Sequence, residues 1–231
     1  MPYDALCQHL QQLRQEIQRC VAESGRSDDS VRLIAVSKTH SVDRIRAAYA
    51  CGQRAFGENY AQELTDKARQ LADLAIEWHF VGPIQSNKTR LIAAHAAWVH
   101  SVDRIQIAER LVAHRPLERP ALQVCLQVNI DKETSKSGVA VDELPALARQ
   151  VAALDPARLR LRGLMCIPRP DAETSDQRTP FRRLHGALME LRDAGLALDT
   201  LSMGMSGDYR AAIAEGATLI RIGTAIFGAR H

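Results

Sequence analysis

Aromatic residues are scarce in this chain and make up 4% of its 231 residues. Proteins that bind single-stranded nucleic acid stack bases on aromatic side chains, so this scarcity argues against that class. Charge of one sign is also not concentrated anywhere, because the net charge is only +3 and the basic residues are spread along the chain. The sequence therefore predicts no nucleic-acid partner and no membrane-surface partner.

Long apolar runs and paired cysteines are missing as well. No apolar run approaches the ~18–20 residues that a membrane span requires, and charged residues interrupt every apolar stretch near the N-terminus. The five cysteines are odd in number and form no C-x-x-C pair, which argues against a disulfide framework and a structural zinc site. The eight histidines show no metal-ligand spacing such as H-E-x-x-H. We therefore expect a cytoplasmic protein in a reducing compartment, with no metal.

What the sequence does contain is a regular alternation of strand and helix patterns. An amphipathic helix comes first, with apolar residues at steps of three and four between Leu6 and Val21. Eight strand-like runs follow, at Leu33–Ser37, Arg54–Gly57, Glu77–Val81, Ala97–His100, Leu122–Asn129, Leu159–Met165, Leu198–Met203 and Thr218–Ile222. Helical patterns separate them, for example at Val42–Cys51, Asn59–Leu74, Ile105–Ala113, Leu144–Ala153 and Thr179–Ala194. This order predicts an α/β protein, a single (β/α)8 barrel domain over residues 1–231, with an open doubly wound parallel sheet as the structural alternative.

One six-residue sequence occurs twice. H-S-V-D-R-I stands at positions 40–45 and again at positions 100–105. Each copy follows a predicted strand and precedes a predicted helix, and serine is a favourable residue at a helix N-terminus. The repeat predicts that the same strand-to-helix turn is built twice.

The residues that carry chemistry stand where strands are predicted to end. The apolar run V-R-L-I-A-V-S-K-T-H, at positions 31–40, places Lys38 at the end of strand one. In (β/α)8 barrels the functional residues lie at the C-terminal ends of the strands. A surface lysine whose stem lies along apolar groups is the ordinary alternative. Arg221 should reach the same end of the barrel, and a nearby cation lowers the pKa of a lysine and frees its amine to attack a carbonyl group.

Two glycine-containing turns suggest an anion site beside this lysine. G-M-S-G-D (204–208) follows strand seven and R-I-G-T (221–224) ends strand eight, the two positions at which such barrels often bind phosphate. Ser206 is expected to cap a helix and offer its hydroxyl group, with Gly207 giving access to backbone N–H groups, and Gly223 and Thr224 are expected to act likewise. A phosphorylated carbonyl compound held by a lysine is the description of pyridoxal 5′-phosphate (PLP).

Two further residues have open interpretations. His79, inside strand three, either touches the cofactor ring or is a hydrogen-bonded interior histidine. Lys136, in T-S-K-S-G, is expected to be a solvated loop lysine.

Several ordered sequence blocks resemble the pyridoxal phosphate homeostasis protein family over nearly the whole chain. They are A-V-S-K-T (35–39), F-G-E-N-Y-x-Q-E (56–63), W-H-F-V-G-P-I-Q-S-N-K (78–88), S-K-S-G (135–138), L-R-G-L-M (161–165), L-S-M-G-M-S-G-D (201–208) and R-I-G-T-A-I-F-G-A-R (221–230). The resemblance implies a barrel like the alanine racemase N-terminal domain, with an extra N-terminal helix and no C-terminal β-domain. The family often has Lys-Pro where this chain has His40-Ser41.

The resemblance also assigns residues to the cofactor. It implies a PLP Schiff base on Lys38. The phosphate group would be held by Ser206, Gly223 and Thr224. Asn59 would lie beside the ring, Met205 in the wall, and Arg221 against the pyridine nitrogen, which an arginine keeps unprotonated.

The functional expectation is a non-catalytic PLP carrier that takes part in PLP homeostasis and supply. The main alternative is a PLP-dependent amino-acid racemase or a related enzyme. Such a racemase takes its second acid/base from an additional domain and a partner subunit, and only three residues follow Gly228 in this sequence. A (β/α)8 enzyme that acts on a phosphorylated sugar or nucleotide is a third possibility. The expected partners are PLP, PLP-dependent apo-enzymes or PLP-producing enzymes, and the expected state is a monomer.

Overall fold

The computed structural model describes residues 3–131, 137–169 and 177–228. The strands are β1 (Arg32–Val36), β2 (Ala55–Glu58), β3 (Glu77–Phe80), β4 (Trp98–Val102), β5 (Leu122–Gln127), β6 (Leu159–Met165), β7 (Thr200–Ser202) and β8 (Leu219–Ile222). The α-helices are α1 (Tyr3–Glu23), α2 (Val42–Ala50), α3 (Ala61–Gln70), α4 (Thr89–His95), α5 (Ile105–His114), α6 (Leu144–Ala152), α7 (Thr179–Asp193), α8 (Tyr209–Ala214) and α9 (Thr224–Phe227). A 3₁₀ turn at Ser86–Lys88 precedes α4.

The eight strands form one closed barrel in sequence order. Every neighbouring pair is parallel, and β8 closes the ring by pairing with β1, for example Arg221 opposite Ile34. The predicted (β/α)8 barrel is therefore confirmed, and the open doubly wound sheet is excluded. The predicted strand limits agree with the observed ones to within two residues, since alternating apolar patterns mark strand interiors more clearly than strand ends.

The barrel has two apolar layers because alternate strand residues point to opposite sides of the sheet. A small buried cluster fills the interior and consists of Ile34, Ala55, Trp98, Cys125, Met165 and Leu219. The larger cluster lies between strands and helices and includes Phe56, Phe80 and Leu126. Functional side chains are left to the C-terminal end of the barrel, above this filled interior.

The N-terminal helix α1 completes the outer layer of helices. The helix that follows β8, α9, has only four residues. Helix α1 packs against α2, α8 and α9, and so covers the place where a full-length eighth helix would lie. Its apolar face, from Leu6 to Val21, is buried as the sequence predicts. Among the described helices, none combines the length and the apolar character that a membrane crossing needs.

The expectation about cysteines is wrong for one pair. Cys7 on α1 and Cys51 at the end of α2 form a disulfide, with their Cα atoms 5.4 Å apart. Spacing along the sequence could not reveal this pair, because 44 positions separate the two residues and only the packing of α1 on α2 brings them together. Cys20, Cys125 and Cys166 are free thiols.

The prediction from the repeated H-S-V-D-R-I sequence is also wrong. In the first copy, α2 begins at Val42 and Ser41 is the residue before it, although its side chain makes no capping hydrogen bond. In the second copy, positions 100–102 still belong to β4 and α5 begins only at Ile105. Ser101 donates its hydroxyl hydrogen bond to the carbonyl oxygen of Gly82 at 2.5 Å. Identical residues thus form a turn and helix in one place and a strand in the other, because strand β4 extends two residues beyond its predicted end.

Candidate functional site

One cavity of about 290 Å³ lies at the C-terminal end of the barrel and contains all the residues predicted to contact a cofactor. Those residues are Lys38, Asn59, Met205, Ser206, Arg221, Gly223 and Thr224. Further lining comes from Val36, His40, Val81, Ile167, Gly207 and Gly228. Strands β1, β2, β7 and β8 and the turns that follow them therefore bring together residues that are far apart in the sequence.

A tight turn after β1 presents Lys38 to this cavity. Strand pairing ends with Ser37, whose backbone N–H donates to the carbonyl oxygen of Gly57 at 2.9 Å. The N–H of His40 then donates to the carbonyl oxygen of Ser37 at 3.0 Å and closes the turn. Thr39 adopts a φ of 66°, a left-handed conformation that β-branched residues rarely take. The backbone around the half-buried Lys38 is therefore held in one unusual shape.

A second lysine, Lys67 on α3, holds this turn from behind. Its ammonium group donates at 2.7 Å to the carbonyl oxygen of Ser37, to Glu58 and to Glu63. The Ser37 hydroxyl donates to Glu58 at 2.6 Å, and the Thr39 N–H donates to Glu63 at 2.6 Å. One buried cation thus ties together both residues that flank Lys38.

Sequence reasoning missed this network. Its signal was present in F-G-E-N-Y-x-Q-E, which contains both carboxylates, and in Lys67, which stands four residues after Glu63 on one helix face. The network also perturbs Glu58. Burial of Glu58 raises the pKa of its carboxyl group to about 7, although the charge and hydrogen bond of Lys67 act in the opposite direction.

Asn59 follows β2 and lines the cavity. The backbone at Gly82, which follows β3, lies very close to it. A Cβ atom on Gly82 would lie 2.1 Å from the Asn59 carbonyl oxygen, so only glycine allows this approach. The Asn59 side-chain oxygen, Oδ1, is buried and has no hydrogen-bond partner in the described structure. A buried acceptor without a partner is costly. The cavity therefore provides an acceptor ready for a donor on a bound molecule.

The turn after β7 differs from its prediction in one detail. Helix α8 begins at Tyr209, so Ser206 is not its capping residue. Asp208 takes that position, and its carboxylate accepts a hydrogen bond from the Met205 N–H at 2.6 Å. Ser206 and Gly207 instead form the exposed turn over the cavity. Gly204 permits this turn, because its φ is 97° and an added Cβ would lie 2.7 Å from the side chain of Ala212.

The turn after β8 leads directly into the short helix α9. Gly223 is the residue before the helix and Thr224 is its first residue. The first backbone N–H groups bonded within this turn are those of Ile226 and Phe227, which both donate to the Gly223 carbonyl oxygen at 2.9 Å. Thr224 and Ser206, which both carry a hydroxyl group, thus line one cavity from two adjacent strand ends.

Arg221 forms the floor of the cavity from within β8. Its guanidinium group donates to the Ser202 hydroxyl at 2.6 Å and to the Cys166 carbonyl oxygen at 2.9 Å. Burial lowers the pKa of this guanidinium group. The Arg221 side chain is therefore fixed by two hydrogen bonds below the cavity.

The remaining predicted residues lie elsewhere or outside the described ranges. His79 is fully buried in the barrel interior, does not line the cavity and makes hydrogen bonds to His100 and Glu77, so its interior interpretation is the correct one. Lys136 lies outside the described residues. His40 does line the cavity, and its ring stacks on Phe227 with centroids 4.7 Å apart. The described residues contain no cluster of three or more potential metal ligands.

The fold and the site together define a (β/α)8 barrel with a lysine at the end of its first strand, and comparison with known proteins identifies its family. The model of the alanine racemase N-terminal domain family matches residues 8–231. The pyridoxal phosphate homeostasis protein of Pseudomonas aeruginosa is 54% identical over 97% of this chain and 96% of its own length. The chain therefore belongs to the alanine racemase N-terminal domain family and, within it, to the pyridoxal phosphate homeostasis proteins.

Solved structures agree with this assignment. PipY of Synechococcus elongatus, determined with PLP bound, superposes with a TM-score of 0.83 at 38% identity and covers 96% of this chain and all of its own. Alanine racemase from Corynebacterium glutamicum superposes with a TM-score of 0.68 at 20% identity, but only 63% of that chain is covered. The latter similarity concerns the fold alone.

Proposed function

We propose that this chain binds PLP through Lys38 and serves as a non-catalytic carrier in PLP homeostasis and supply. The observation that carries the proposal is the single cavity that joins the Lys38 amine, the buried Asn59 acceptor without a partner, the Arg221 guanidinium group and two hydroxyl-bearing turns. These groups fit a molecule with a carbonyl group, a polar ring and a phosphate group. The PLP-bound relative PipY, which is 38% identical, supports the same ligand.

Each group on PLP has a residue suited to hold it. The hydroxyls of Ser206 and Thr224, with the Gly223 turn, would bind the phosphate group. Asn59 and Met205 would lie along the ring, and Arg221 would donate to the pyridine nitrogen and keep a proton off it. When bound, PLP would supply an aldehyde group, with which the Lys38 amine could condense with release of water.

Amino-acid racemisation is the alternative function, and the cavity offers little for it. A racemase needs a second acid/base besides the lysine. Among the described lining residues the titratable groups other than Lys38 are Arg221, fixed in the floor, and His40, stacked on Phe227. The racemase hypothesis therefore depends on His40 as the second acid/base.

The experiment that tests the proposal compares the purified protein with Lys38→Ala and with Lys88→Ala, a lysine outside the cavity. We expect a visible PLP absorption band, and a PLP label on Lys38 after borohydride reduction, in the wild type and in Lys88→Ala only. A wild-type protein without this band would show that PLP binding is wrong. Turnover of L- or D-alanine above the free-PLP background, lost in both Lys38→Ala and His40→Gln, would contradict the carrier proposal. It would support the racemase hypothesis instead.

We also propose that the carrier is a cytoplasmic monomer which exchanges PLP with PLP-dependent apo-enzymes or with PLP-producing enzymes. Gel filtration with light scattering would test the oligomeric state, and activation of a PLP-free apo-enzyme by the loaded protein would test the exchange.

A further inference from the structure

A continuous row of hydrogen bonds runs through the interior of the barrel below the cavity. Arg221 contacts the Ser202 hydroxyl at 2.6 Å, and this hydroxyl contacts His100 Nδ1 at 2.7 Å. His100 Nε2 lies 2.9 Å from His79 Nδ1, and His79 Nε2 lies 2.8 Å from a carboxylate oxygen of Glu77. We call Ser202, His100, His79 and Glu77 the interior chain. It leads from β8 at the cavity floor, through β7 and β4, to the start of β3.

With both buried imidazoles neutral, the two ends of the interior chain fix the position of every proton in it. A guanidinium group can only donate hydrogen bonds and an ionised carboxylate can only accept them. The Ser202 oxygen therefore accepts from Arg221, and its own hydrogen goes to His100 Nδ1. His100 must then donate from Nε2 to His79 Nδ1, and His79 must donate from Nε2 to Glu77. Both neutral imidazoles thus carry their hydrogen on Nε2.

The surroundings agree with neutral histidines. His79 and His100 are fully buried, and burial lowers the pKa of both imidazoles. The charged groups that face them are Glu77, Arg32 from β1, which donates to Glu77 at 2.6 Å, and Arg221 from β8. Burial acts to raise the pKa of Glu77, but its hydrogen bonds with His79 and Arg32 and the charge of Arg32 lower it. Glu77 is therefore ionised at neutral pH.

Arg221 needs such support because it is a buried cation. Both of its hydrogen-bond partners in the described structure, the Ser202 hydroxyl and the Cys166 carbonyl oxygen, are neutral. Burying a charge is expensive, and the carboxylate of Asp208 offsets this cost only through its charge. In the interior chain every acceptor atom faces Arg221. The dipoles of these side chains therefore favour a positive charge on Arg221. The far end of the interior chain is the carboxylate of Glu77.

We propose that the interior chain is a positioning device which keeps Arg221 charged and aligned toward the pyridine nitrogen of bound PLP. This inference rests on the proposed function, since it assigns a task to residues that do not touch the ligand. It also gives a task to the buried Ser202, His100 and His79, whose polar side chains do not line the cavity.

The first part of the test uses the protein without PLP, so that it does not depend on the proposed function. Long-range ¹H–¹⁵N spectra of labelled histidine should show His79 and His100 with the hydrogen on Nε2 and no titration between pH 5.5 and 8. Either imidazole titrating in that range, or carrying its hydrogen on Nδ1, would overturn the interior chain.

The second part measures PLP binding. Ser202→Ala removes the acceptor of Arg221, and we expect about tenfold weaker PLP binding, the loss typical of one hydrogen bond to a charged group. The pH at which the visible band of bound PLP changes should also shift, while borohydride still attaches PLP to Lys38. Glu77→Gln keeps an acceptor for His79 but removes the charge, so it should cause a smaller change in the same direction.

Thr200→Val is the matched control, because it deletes a buried hydroxyl from the same strand that bonds to Asp199 and not to the interior chain. We expect its PLP spectrum and affinity to equal those of the wild type. If Ser202→Ala also behaves like the wild type, or if Thr200→Val shifts the spectrum as much, the positioning role is wrong. A wild-type protein that binds no PLP would instead overturn the proposed function and leave the histidine result standing.

Discussion

Lys67 donates a hydrogen bond to the backbone carbonyl oxygen of Ser37 at 2.7 Å. Ser37 is the residue before Lys38, so one lysine holds the backbone that presents the other. The same ammonium group binds Glu58 and Glu63, whose carboxylates contact the residues on both sides of Lys38. The shape of the β1 turn therefore depends on a single buried positive charge.

Removing that charge should damage both stability and PLP binding. Lys67→Met leaves Glu58 buried without its cation, and above pH 7, where Glu58 is ionised, loss of one partner of a buried ion pair costs about 3–5 kcal/mol. Urea unfolding of the PLP-free protein would measure this loss. Lys88→Met serves as the control and should change little. A double variant that also carries Glu58→Gln should recover part of the stability, and failure to recover any would show that the pairing is not the cause.

Glu58 should make stability depend on pH in a defined window. Folded Glu58 keeps its proton to a pKa of about 7, whereas its ordinary value is 4.5. Unfolding therefore releases a proton between these two values, and the stability contributed by this group is lost as the pH rises through the window, by about 3 kcal/mol at most. We expect the free energy of unfolding of Glu58→Gln to lack this component. Parallel pH profiles of the two proteins would contradict the assignment.

Thr39 should be replaceable with a gain in stability. Its φ of 66° strains a β-branched residue, and asparagine tolerates this region better. Thr39→Asn keeps the backbone N–H that bonds to Glu63, so we expect about 1 kcal/mol of added stability with PLP affinity unchanged. Thr39→Val keeps the branch and the strain, and should bring no gain. Equal melting temperatures for the Asn and Val variants would argue against strain at this turn.

The Cys7–Cys51 disulfide should contribute to thermal stability. It spans 44 positions, and closing a loop of that length stabilises a protein by up to about 4 kcal/mol in the chain-entropy account. We expect Cys7→Ser, or reduction of the wild type, to lower the melting temperature by about 10 °C. Cys20→Ser on the same helix removes a free thiol and is the control. A melting temperature that does not respond to reductant would count against the cross-link.

The parts of the structure that could be predicted from sequence are those with a local cause. The strands were located by their apolar runs, and Lys38, Ser206 and Thr224 by their places after such runs. The H-S-V-D-R-I repeat shows the limit of local reasoning, since the same letters continue a strand at positions 100–102 and start a helix at Val42. The neighbouring strands, not the six residues, decide where β4 ends.

The parts that could not be predicted depend on contacts between distant segments. Lys67 and the interior chain were not recognised because lysine, histidine and serine are unremarkable until the barrel closes and buries them. The interior chain joins residues on three strands, and no spacing in the sequence relates His100 to Ser202. The same holds for Cys7 and Cys51, which meet only after α1 has packed on α2.

The position of α1 also has a consequence for synthesis of the protein. The first helix finds part of its packing surface on α8 and α9, and the first strand finds one of its two neighbours in β8. These partners are synthesised only after β1 to β7. The apolar face from Leu6 to Val21 thus stays partly uncovered until α8 and α9 have been made, so we expect barrel closure to be a late, cooperative event in folding.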